Sequence, residues 1–163
     1  VAGLASSLAD YDWIAIVGFE STAGLAEHLA YYLSRAGFPA EAITERSGNL
    51  YGSIRRAGAG TLVLCLMVSR YPRAAVDFCR ACARRGSDLA VVSDTGEHPL
   101  SNEASVQLSI AERRATGMNL EVHLALLATV QLLVLKAGLG DKKRTRAALA
   151  ELEAYDAAFR VFS

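Results

Sequence analysis

The sequence predicts an α/β fold in which a parallel β-sheet is covered by helices on both faces. Short apolar runs alternate with longer segments of helical periodicity along the chain, which is the element order of a parallel sheet with crossover helices. The runs are apolar at consecutive positions, as in strands that are buried on both faces. The chain has 163 residues and no linker rich in Pro, Gly or Ser, so we expect one domain spanning residues 1–163.

The first four elements alternate between helix and strand. Residues 1–9 have the spacing of a short amphipathic helix, and residues 13–17 (WIAIV) are all apolar and are followed by a glycine, as in a buried strand. Residues 22–35 repeat leucine and tyrosine at helical spacing, and a glycine and a proline follow closely, which predicts the end of a helix. Residues 40–43 are predicted to form a second, short strand.

The middle of the chain repeats this alternation. Residues 47–57 predict a weak helix that nearby glycines end, and residues 61–68 (TLVLCLMV) are the clearest strand in the sequence. Residues 72–85 are predicted as a helix, because proline suits the first helical position and a glycine follows the last. Residues 88–92 are predicted as a further strand.

The last part of the chain contains one more strand and two helices. Residues 105–110 alternate apolar and polar side chains, as an edge strand does, and residues 142–159 predict a charged amphipathic helix. Residues 118–137 predict a long helix that is apolar on almost every side and should therefore be buried all round. One domain of this size rarely encloses such a helix, so we predict an isologous homodimer, or a higher homo-oligomer, in which it packs against another copy.

Composition excludes two classes of protein. Hydrophobic residues make up 52% of the chain and charged residues 21%, which excludes a disordered chain. The 17 basic residues balance the 17 acidic ones, so the chain lacks the basic excess with which nucleic-acid-binding domains engage phosphates. We expect that it does not bind nucleic acid by itself.

The cysteines and the apolar stretches predict a cytoplasmic protein. The three cysteines are an odd number in apolar or helical contexts, which argues against a secreted disulfide framework. No targeting segment is apparent, and the chain begins at Val1 without a methionine, so we expect a fragment of something longer. The most apolar stretch, residues 124–135, has 12 residues, whereas a membrane span needs about 20, so we expect a core helix and no membrane.

Three loops should carry the function. Right-handed crossovers place the strand-to-helix loops of a parallel sheet at one edge, and ligands bind there, outside the carboxyl ends of the strands. The loops concerned are residues 18–23, 69–73 and 93–99.

These loops contain Gly-Phe-Glu-Ser-Thr (18–22), Ser-Arg-Tyr-Pro-Arg (69–73), and Ser-Asp (93–94) followed by Pro-Leu (99–100). With these motifs the chain resembles the SIS (sugar isomerase) domain, and within it the ligand-sensing half of RpiR/MurR-type transcriptional regulators. The resemblance implies a three-layer α/β/α sandwich with a five-stranded parallel sheet of the doubly wound, flavodoxin type, which binds phosphorylated sugars at the strand tips. It also implies an N-terminal helix-turn-helix domain, which this chain lacks and through which alone the whole protein would contact DNA.

The motifs depart from the family pattern in all three loops, and most strongly in the first two. In the first loop, Gly-x-Gly-x-Ser, Gly18 and Thr22 match, but Glu20 replaces the second glycine. The second loop of the family reads Ser-x-Ser-Gly-x-Thr-x-Glu. Aligned on Val76, its two serines, glycine, threonine and glutamate fall on Val68, Arg70, Tyr71, Arg73 and Ala75. A shift of one residue would place Ser69 on the first serine.

Charged and hydroxyl side chains in these two loops suit an anion. The hydroxyls of Ser21 and Thr22 either cap the following helix or, with its amides, hold an anionic ligand. Glu20 would repel a phosphate unless cations neutralise it, and Arg70 and Arg73 are the candidates. Their forked guanidinium donors match phosphate or carboxylate, and we expect Arg73→Ala to abolish ligand binding. The alternative is that both arginines point to solvent or pair with Glu20.

The remaining loop residues have two interpretations each. Tyr71 precedes a proline, so the next helix has no side-chain cap, and Ser69, water or a ligand must satisfy its amides. Ser93 and Asp94 either bond a sugar hydroxyl or form an Asx-type turn. His98, which stands where the family has serine, is either a ligand contact or an exposed loop histidine.

The sequence offers no clear catalytic or metal-binding constellation. Glu121 and His123 are two positions apart on a helix and do not face each other. Cys79 and Cys82 lie in mid-helix without a second pair to complete a zinc site, so core packing explains them. The position of the family's glutamate holds Ala75. We therefore predict no catalytic residue, no metal and no cofactor.

These observations favour a non-catalytic, effector-sensing domain that binds a phosphosugar or a related anionic carbohydrate derivative. The predicted ligand-binding residues are Gly18, Glu20, Ser21, Thr22, Ser69, Arg70, Tyr71, Arg73, Ser93, Asp94 and His98. The alternative is a sugar-phosphate isomerase or lyase, in which Glu20 or a residue of a partner subunit would act as the base. A third possibility is a domain that has lost its ligand and only dimerises.

Overall fold

The computed structural model of the chain describes residues 1–110 and 120–159. Its strands are β1 (Trp13–Gly18), β2 (Ala40–Ile43), β3 (Thr61–Met67), β4 (Asp88–Ser93) and β5 (Val106–Ser109). They form one five-stranded sheet in the order β2-β1-β3-β4-β5, and every neighbouring pair is parallel. The predicted five-stranded parallel sheet of flavodoxin-type order is therefore confirmed.

Helices cover both faces of this sheet. They are α1 (Ala2–Ser7), α2 (Ala23–Arg35), α3 (Leu50–Arg56), α4 (Arg73–Ala83), α5 (Leu120–Gly140) and α6 (Lys142–Phe159). Because side chains alternate along a strand, Ile14 and Ile16 pack with α1, α2 and α5 on one face, whereas Ala15 and Val17 pack with α3 and α4 on the other. The three-layer α/β/α architecture is confirmed.

The continuous apolar runs are the strands in the middle of the sheet. Every residue of β1 and β3 is buried, since each of these strands has a neighbour on both sides and helices on both faces. The outer strands β2 and β5 are partly exposed, and β5 is the edge strand that its alternating sequence predicts.

Several helix boundaries differ from the predictions: α1 and α4 end two residues earlier, α5 continues through Gly138 to Gly140 instead of ending at residue 137, and the starts of α3 and α4 are shifted. α4 begins at Arg73, and Pro72 precedes it with extended backbone (φ −60°, ψ 121°), so the proline is not the first helical residue. α3 is shorter than predicted because Asn49 marks its start: the Asn49 side-chain oxygen accepts a hydrogen bond of 2.8 Å from the Gly52 amide.

The single chain buries one face of α5. The buried side chains are Val122, Leu126, Val130, Leu133 and Ala137. Five leucines of α5 remain exposed, namely Leu120, Leu124, Leu132, Leu135 and Leu139. The sequence predicts that one domain does not enclose this helix, and the exposed leucines agree with that prediction. A homodimer through these leucines stays a prediction. Residues 118–119 of the predicted helix lie outside the described residues.

The full length of α5 changes the argument about a membrane. With 21 residues and a mean hydropathy of 1.8, α5 is long and apolar enough to cross a membrane by length and composition alone. The 12-residue length of the most apolar stretch therefore does not by itself exclude a membrane-spanning helix. A core helix meets the same criterion, and Leu126 and Val130 of α5 do pack into the core beside the sheet.

All three cysteines are buried. A hydrogen bond to Cys65, together with burial, raises the pKa of the Cys79 thiol. Burial raises the pKa of Cys82 to about 11. Thiols of this kind stay protonated and unreactive, which confirms the prediction that Cys79 and Cys82 serve core packing.

Candidate functional site

A cavity of about 170 Å³ opens at the carboxyl edge of the sheet, between the loops that follow β1 and β3. Its lining residues are Phe19, Glu20, Ser21, Thr22, Val68, Ser69, Arg70 and Pro72. After β1 and after β3 the chain crosses to opposite sides of the sheet, so the cavity lies at the switch point where sheets of this order bind ligands. Two of the three predicted loops thus meet at one cavity.

Gly18 and Thr22 shape the first loop through contacts within the protein. A Cβ atom on Gly18 would lie 2.5 Å from the Thr22 carbonyl oxygen and 2.7 Å from the Ala26 Cβ, so only glycine lets β1 approach α2 this closely. The Thr22 hydroxyl is buried, accepts a hydrogen bond of 3.1 Å from the Phe19 amide and donates one of 2.9 Å to the Leu66 carbonyl. It ties the loop to β3 and does not cap α2.

Glu20 and Ser21 present exposed side chains to the cavity. The backbone of Glu20 is left-handed (φ 54°), a conformation that glycine adopts readily, which explains why the family pattern has glycine there. The Glu20 amide donates a hydrogen bond of 3.1 Å to Oε2 of Glu45, in the loop after β2. Hydrogen bonds from the amides of Glu45 itself and of Glu20 lower the pKa of the Glu45 carboxyl.

The two arginines of the second loop point to different places. Arg70 lines the cavity, whereas Arg73 is not among the described lining residues. The Arg73 side chain is 94% exposed, and its Nε lies 3.5 Å from Oδ2 of Asp77, one helical turn away on α4. The solvent-facing alternative therefore describes Arg73. Within residues 1–110 and 120–159, no ion pair joins Arg70 to Glu20, so the alternative of a pair with Glu20 is wrong.

The backbone of Arg70 favours another alignment of this loop, shifted in the direction opposite to the one that places Ser69 on the first serine. Arg70 is left-handed (φ 69°), and with Glu20 it is one of two non-glycine residues with positive φ in the described part of the chain. An alignment on Val76 places the family's glycine on Tyr71, but the position that suits glycine is Arg70. The second serine of the motif then falls on Ser69, which does line the cavity.

Asp94, which follows β4, holds the second loop through hydrogen bonds to its carboxylate. Its carboxylate is buried, with 2% of the residue exposed, and Oδ2 accepts a hydrogen bond of 3.0 Å from the Ser69 amide and another from the Ser69 hydroxyl. Oδ1 accepts a hydrogen bond of 3.1 Å from the Tyr71 hydroxyl. Asp94 thus forms neither an Asx-type turn nor a described part of the cavity lining, and Ser69 and Tyr71 are held by it.

The third loop lies beside the cavity, and no described residue of it contributes to the lining. The buried Ser93 hydroxyl donates to the Thr95 carbonyl. His98 is buried too, and its Nδ1 accepts a hydrogen bond of 3.2 Å from the Leu100 amide. Burial lowers the pKa of His98. The alternative of an exposed loop histidine is therefore wrong, and the imidazole shapes the turn before Pro99 and Leu100.

Sequence reasoning missed Glu45 and the supporting role of Asp94. Glu45 follows β2, and the rule that collects strand-to-helix loops at one edge applies to that loop as well. The position of Glu45 just after a predicted strand could therefore have identified it as a residue of this edge. No group of three or more His, Cys, Asp or Glu side chains that could hold a metal ion occurs within residues 1–110 and 120–159.

Comparison with known proteins identifies one family. The family model described as SIS domain matches residues 7–137 of this chain. Among curated proteins, none matches the sequence.

Several solved structures share the fold. The sugar isomerase domain of an RpiR transcription factor from Sphaerobacter thermophilus superposes with a TM-score of 0.82 at 23% identity, covering 93% of this chain and 84% of that one. The Vibrio vulnificus NanR protein complexed with ManNAc-6P has a TM-score of 0.82 at 19% identity, with 99% of this chain but only 61% of NanR covered. An E. coli CFT073 protein in complex with A5P has a TM-score of 0.78 at 15% identity, covering 93% of this chain and 82% of that one.

Proposed function

This chain belongs to the SIS domain family, and from that premise we propose that it binds a phosphorylated sugar in the cavity between the β1 and β3 loops. The observation that carries the proposal is the position of Arg70: an exposed guanidinium lines a cavity at the switch point of the sheet. Two structures with the same fold have ManNAc-6P and A5P bound, which supports this ligand class.

The cavity suits one end of such a ligand. Its volume of about 170 Å³ is below the roughly 300–1,000 Å³ of pockets that enclose a drug-sized molecule. A phosphate group fits beside Arg70, whose forked donors match its oxygens, while the sugar ring extends over the rim. The Ser21 hydroxyl, which is exposed at the same cavity, adds a further donor.

We propose further that the domain senses its ligand for a transcriptional regulator and is not itself catalytic. The RpiR and NanR proteins that share its fold support a regulatory role. The balanced charge of the chain favours DNA contact through another domain of the whole protein, a helix-turn-helix N-terminal to this one. The cytoplasm is the location that three unpaired, buried cysteines favour.

We also propose a homodimer through the exposed face of α5. Leu124 and Leu139 are 68% and 64% exposed, and a row of large apolar side chains on one helix is typical of a subunit interface. An isologous contact would place the α5 helices of two copies side by side and cover both rows at once.

A sugar-phosphate isomerase or lyase is the second candidate, because Glu20 places an exposed carboxylate in the cavity wall. Isomerisation needs a base over the carbon next to the carbonyl group, and a carboxylate is a common choice. His98, the other acid–base candidate of these loops, is buried in the third loop. NMR can detect whether the domain converts a bound sugar phosphate into a product. Such conversion would show that the domain is an isomerase or lyase and would contradict the proposed non-catalytic sensor.

Arg70 and Arg73 provide a matched test of the proposed site. We expect isothermal titration calorimetry to detect binding of at least one of glucose 6-phosphate, fructose 6-phosphate and N-acetylmannosamine 6-phosphate by the unaltered domain. Arg70→Ala should weaken this binding at least about tenfold, since a hydrogen bond to a charged group contributes about 1.5–3 kcal/mol. Arg73→Ala removes the same charge outside the cavity and should change the affinity less than about twofold.

The opposite pattern, with binding lost in Arg73→Ala and kept in Arg70→Ala, would move the site away from this cavity. No heat of binding with any of the three sugar phosphates would contradict the proposed function as a whole.

A further inference from the structure

We propose that the cavity selects a ligand that carries a basic group as well as a phosphate, and that Glu20 is the residue that makes this selection. The inference rests on the proposed function, because it assigns a second feature to the ligand of the same site. Glu20 replaces a glycine of the family pattern, so the feature belongs to this chain and not to the pattern.

Two opposite charges line the cavity without neutralising each other. Glu20 stands on the wall formed by the β1 loop and Arg70 on the wall formed by the β3 loop. In the part of the chain that the structure describes, neither side chain takes part in an ion pair or in a side-chain hydrogen bond. Both charges therefore remain available to a ligand.

The wall that carries Glu20 has a second carboxylate close to it. The Glu45 carboxylate lies next to the same loop, held there by its 3.1 Å hydrogen bond from the Glu20 amide. Arg46, the neighbour of Glu45, is shared between two carboxylates: its Nη2 lies 2.6 Å from Oε1 of Glu27, and its charge contributes to the lowered pKa of Glu45. A phosphate placed against this wall would be repelled by Glu20, whereas an ammonium group would be attracted.

Two of the three hydroxyl groups in the described lining, those of Ser69 and Thr22, already donate to oxygens of the protein, whereas the exposed Ser21 hydroxyl can donate to a ligand. The Ser69 hydroxyl donates its hydrogen to the Asp94 carboxylate, so toward the cavity it offers only oxygen lone pairs. The Thr22 hydroxyl is likewise committed, since it donates to the Leu66 carbonyl and accepts from the Phe19 amide. Ser69 therefore acts as an acceptor for donors on the ligand, as Glu20 does, and cannot donate to phosphate oxygens.

The cavity thus offers a cationic donor on one wall and an anionic acceptor on the other. Arg70 provides donors that suit a phosphate, Glu20 on the opposite wall provides a charged acceptor that suits an ammonium group, and the Ser69 oxygen beside Arg70 is a further acceptor. A sugar phosphate with a free amino group satisfies both sides, whereas a sugar phosphate with hydroxyl groups alone leaves the Glu20 charge without a counter-charge. The chemical class is an amino sugar phosphate.

Glucosamine 6-phosphate and glucose 6-phosphate provide a matched pair of probes, because an ammonium group replaces a single hydroxyl. We expect isothermal titration calorimetry at pH 7 to show tighter binding of glucosamine 6-phosphate by about fivefold, the upper range for an exposed ion pair. Glu20→Gln keeps the size of the side chain and removes its charge, and it should reduce this ratio to about one. Glu97→Gln removes an exposed carboxylate of the third loop outside the described lining and should leave the ratio unchanged.

The possible outcomes distinguish a failure of selection by Glu20 from a failure of the proposed function. Equal binding of the two sugars by the unaltered domain, or a preference that persists in Glu20→Gln, would overturn the selection by Glu20 and leave the proposed function standing. A loss of preference in Glu97→Gln as well would show a general charge effect and overturn it too. Failure of the unaltered domain to bind either sugar, or any probe of the Arg70 test, would overturn the proposed function and this inference together.

Discussion

Replacing Asp94 with alanine should destabilise the domain and loosen the β3 loop, because this buried carboxylate accepts three hydrogen bonds from that loop. Two come from Ser69, through its amide at 3.0 Å and its hydroxyl, and one comes from the Tyr71 hydroxyl at 3.1 Å. Asp94 itself is only 2% exposed, so water does not replace these bonds without rearrangement of the loop. The loop carries Arg70, so its order and the binding site depend on the same carboxylate.

The expected magnitude follows from these contacts. A hydrogen bond to a charged group contributes about 1.5–3 kcal/mol, but donors that lose their partner can turn partly to water once the loop moves. We therefore expect Asp94→Ala to lower the free energy of unfolding by about 3–4 kcal/mol, less than the sum of three such bonds. Tyr71→Phe removes one of the three donors and should lower it by about 1 kcal/mol.

Urea denaturation followed by circular dichroism measures both changes as shifts of the midpoint at constant slope. Asp77→Ala is the control: this aspartate is exposed, its contact is a 3.5 Å ion pair with Arg73, and its loss should change stability by less than about 0.5 kcal/mol. If Asp94→Ala and Asp77→Ala have the same stability, Asp94 does not hold the loop and the reasoning is refuted.

Three further perturbations test the first loop, the backbone of the cavity and the dimer. Gly18→Ala should cost about 2–3 kcal/mol in the same urea assay, because the added Cβ would lie 2.5 Å from the Thr22 carbonyl; an unchanged midpoint would contradict this packing. Glu20→Gly and Arg70→Gly should each raise stability, by up to about 1 kcal/mol, since glycine accepts positive φ without strain, and a loss of stability would mean that the side chains carry structural contacts. Leu124→Glu should convert the proposed dimer to a monomer in analytical ultracentrifugation, and a persistent dimer would place the interface elsewhere.

The parallel sheet and the places of its middle and edge strands were predictable from the hydrophobic pattern, whereas the strand number and order were expected only from the family resemblance. Residues 13–17 and 61–68 are apolar at every position, and such runs fit a strand only where helices cover both faces. The strands that they predict occupy the middle of the sheet. Residues 105–110 alternate instead, and the resulting strand lies at the edge.

The site was less predictable, because the direction of a side chain depends on the backbone of its own loop. Arg70 and Arg73 look equivalent in the sequence, being three residues apart after one strand. The left-handed backbone of Arg70 places it beside the cavity, whereas Arg73 is the first residue of α4 and extends along the helix toward Asp77. The spacing of the two arginines in the sequence does not predict which of them lies at the cavity. We therefore expect Arg70→Ala, and not Arg73→Ala, to weaken binding of the proposed ligand.

His98 shows the same limit for burial. A histidine in a loop with Gly, Glu and Pro is expected at the surface, because such residues mark exposed turns. It is buried because its Nδ1 accepts a hydrogen bond from the Leu100 amide, which folds the loop over the ring. That bond depends on local backbone geometry, which composition does not predict.

The backbone at or next to each of the two strained residues of the cavity is held by a carboxylate that follows the neighbouring strand. Glu45, after β2, binds the amide of Glu20, and Asp94, after β4, binds the amide of Ser69, next to Arg70. In the strand order β2-β1-β3-β4, both inner loops are thus held from outside, and these two carboxylates are already engaged with amides. Non-glycine residues keep a left-handed backbone only where the surroundings impose it, so this arrangement fixes the loops that carry the Glu20 and Arg70 charges before a ligand arrives. Binding then needs little ordering of these loops, and affinity depends chiefly on how well the charges of the ligand match the two walls.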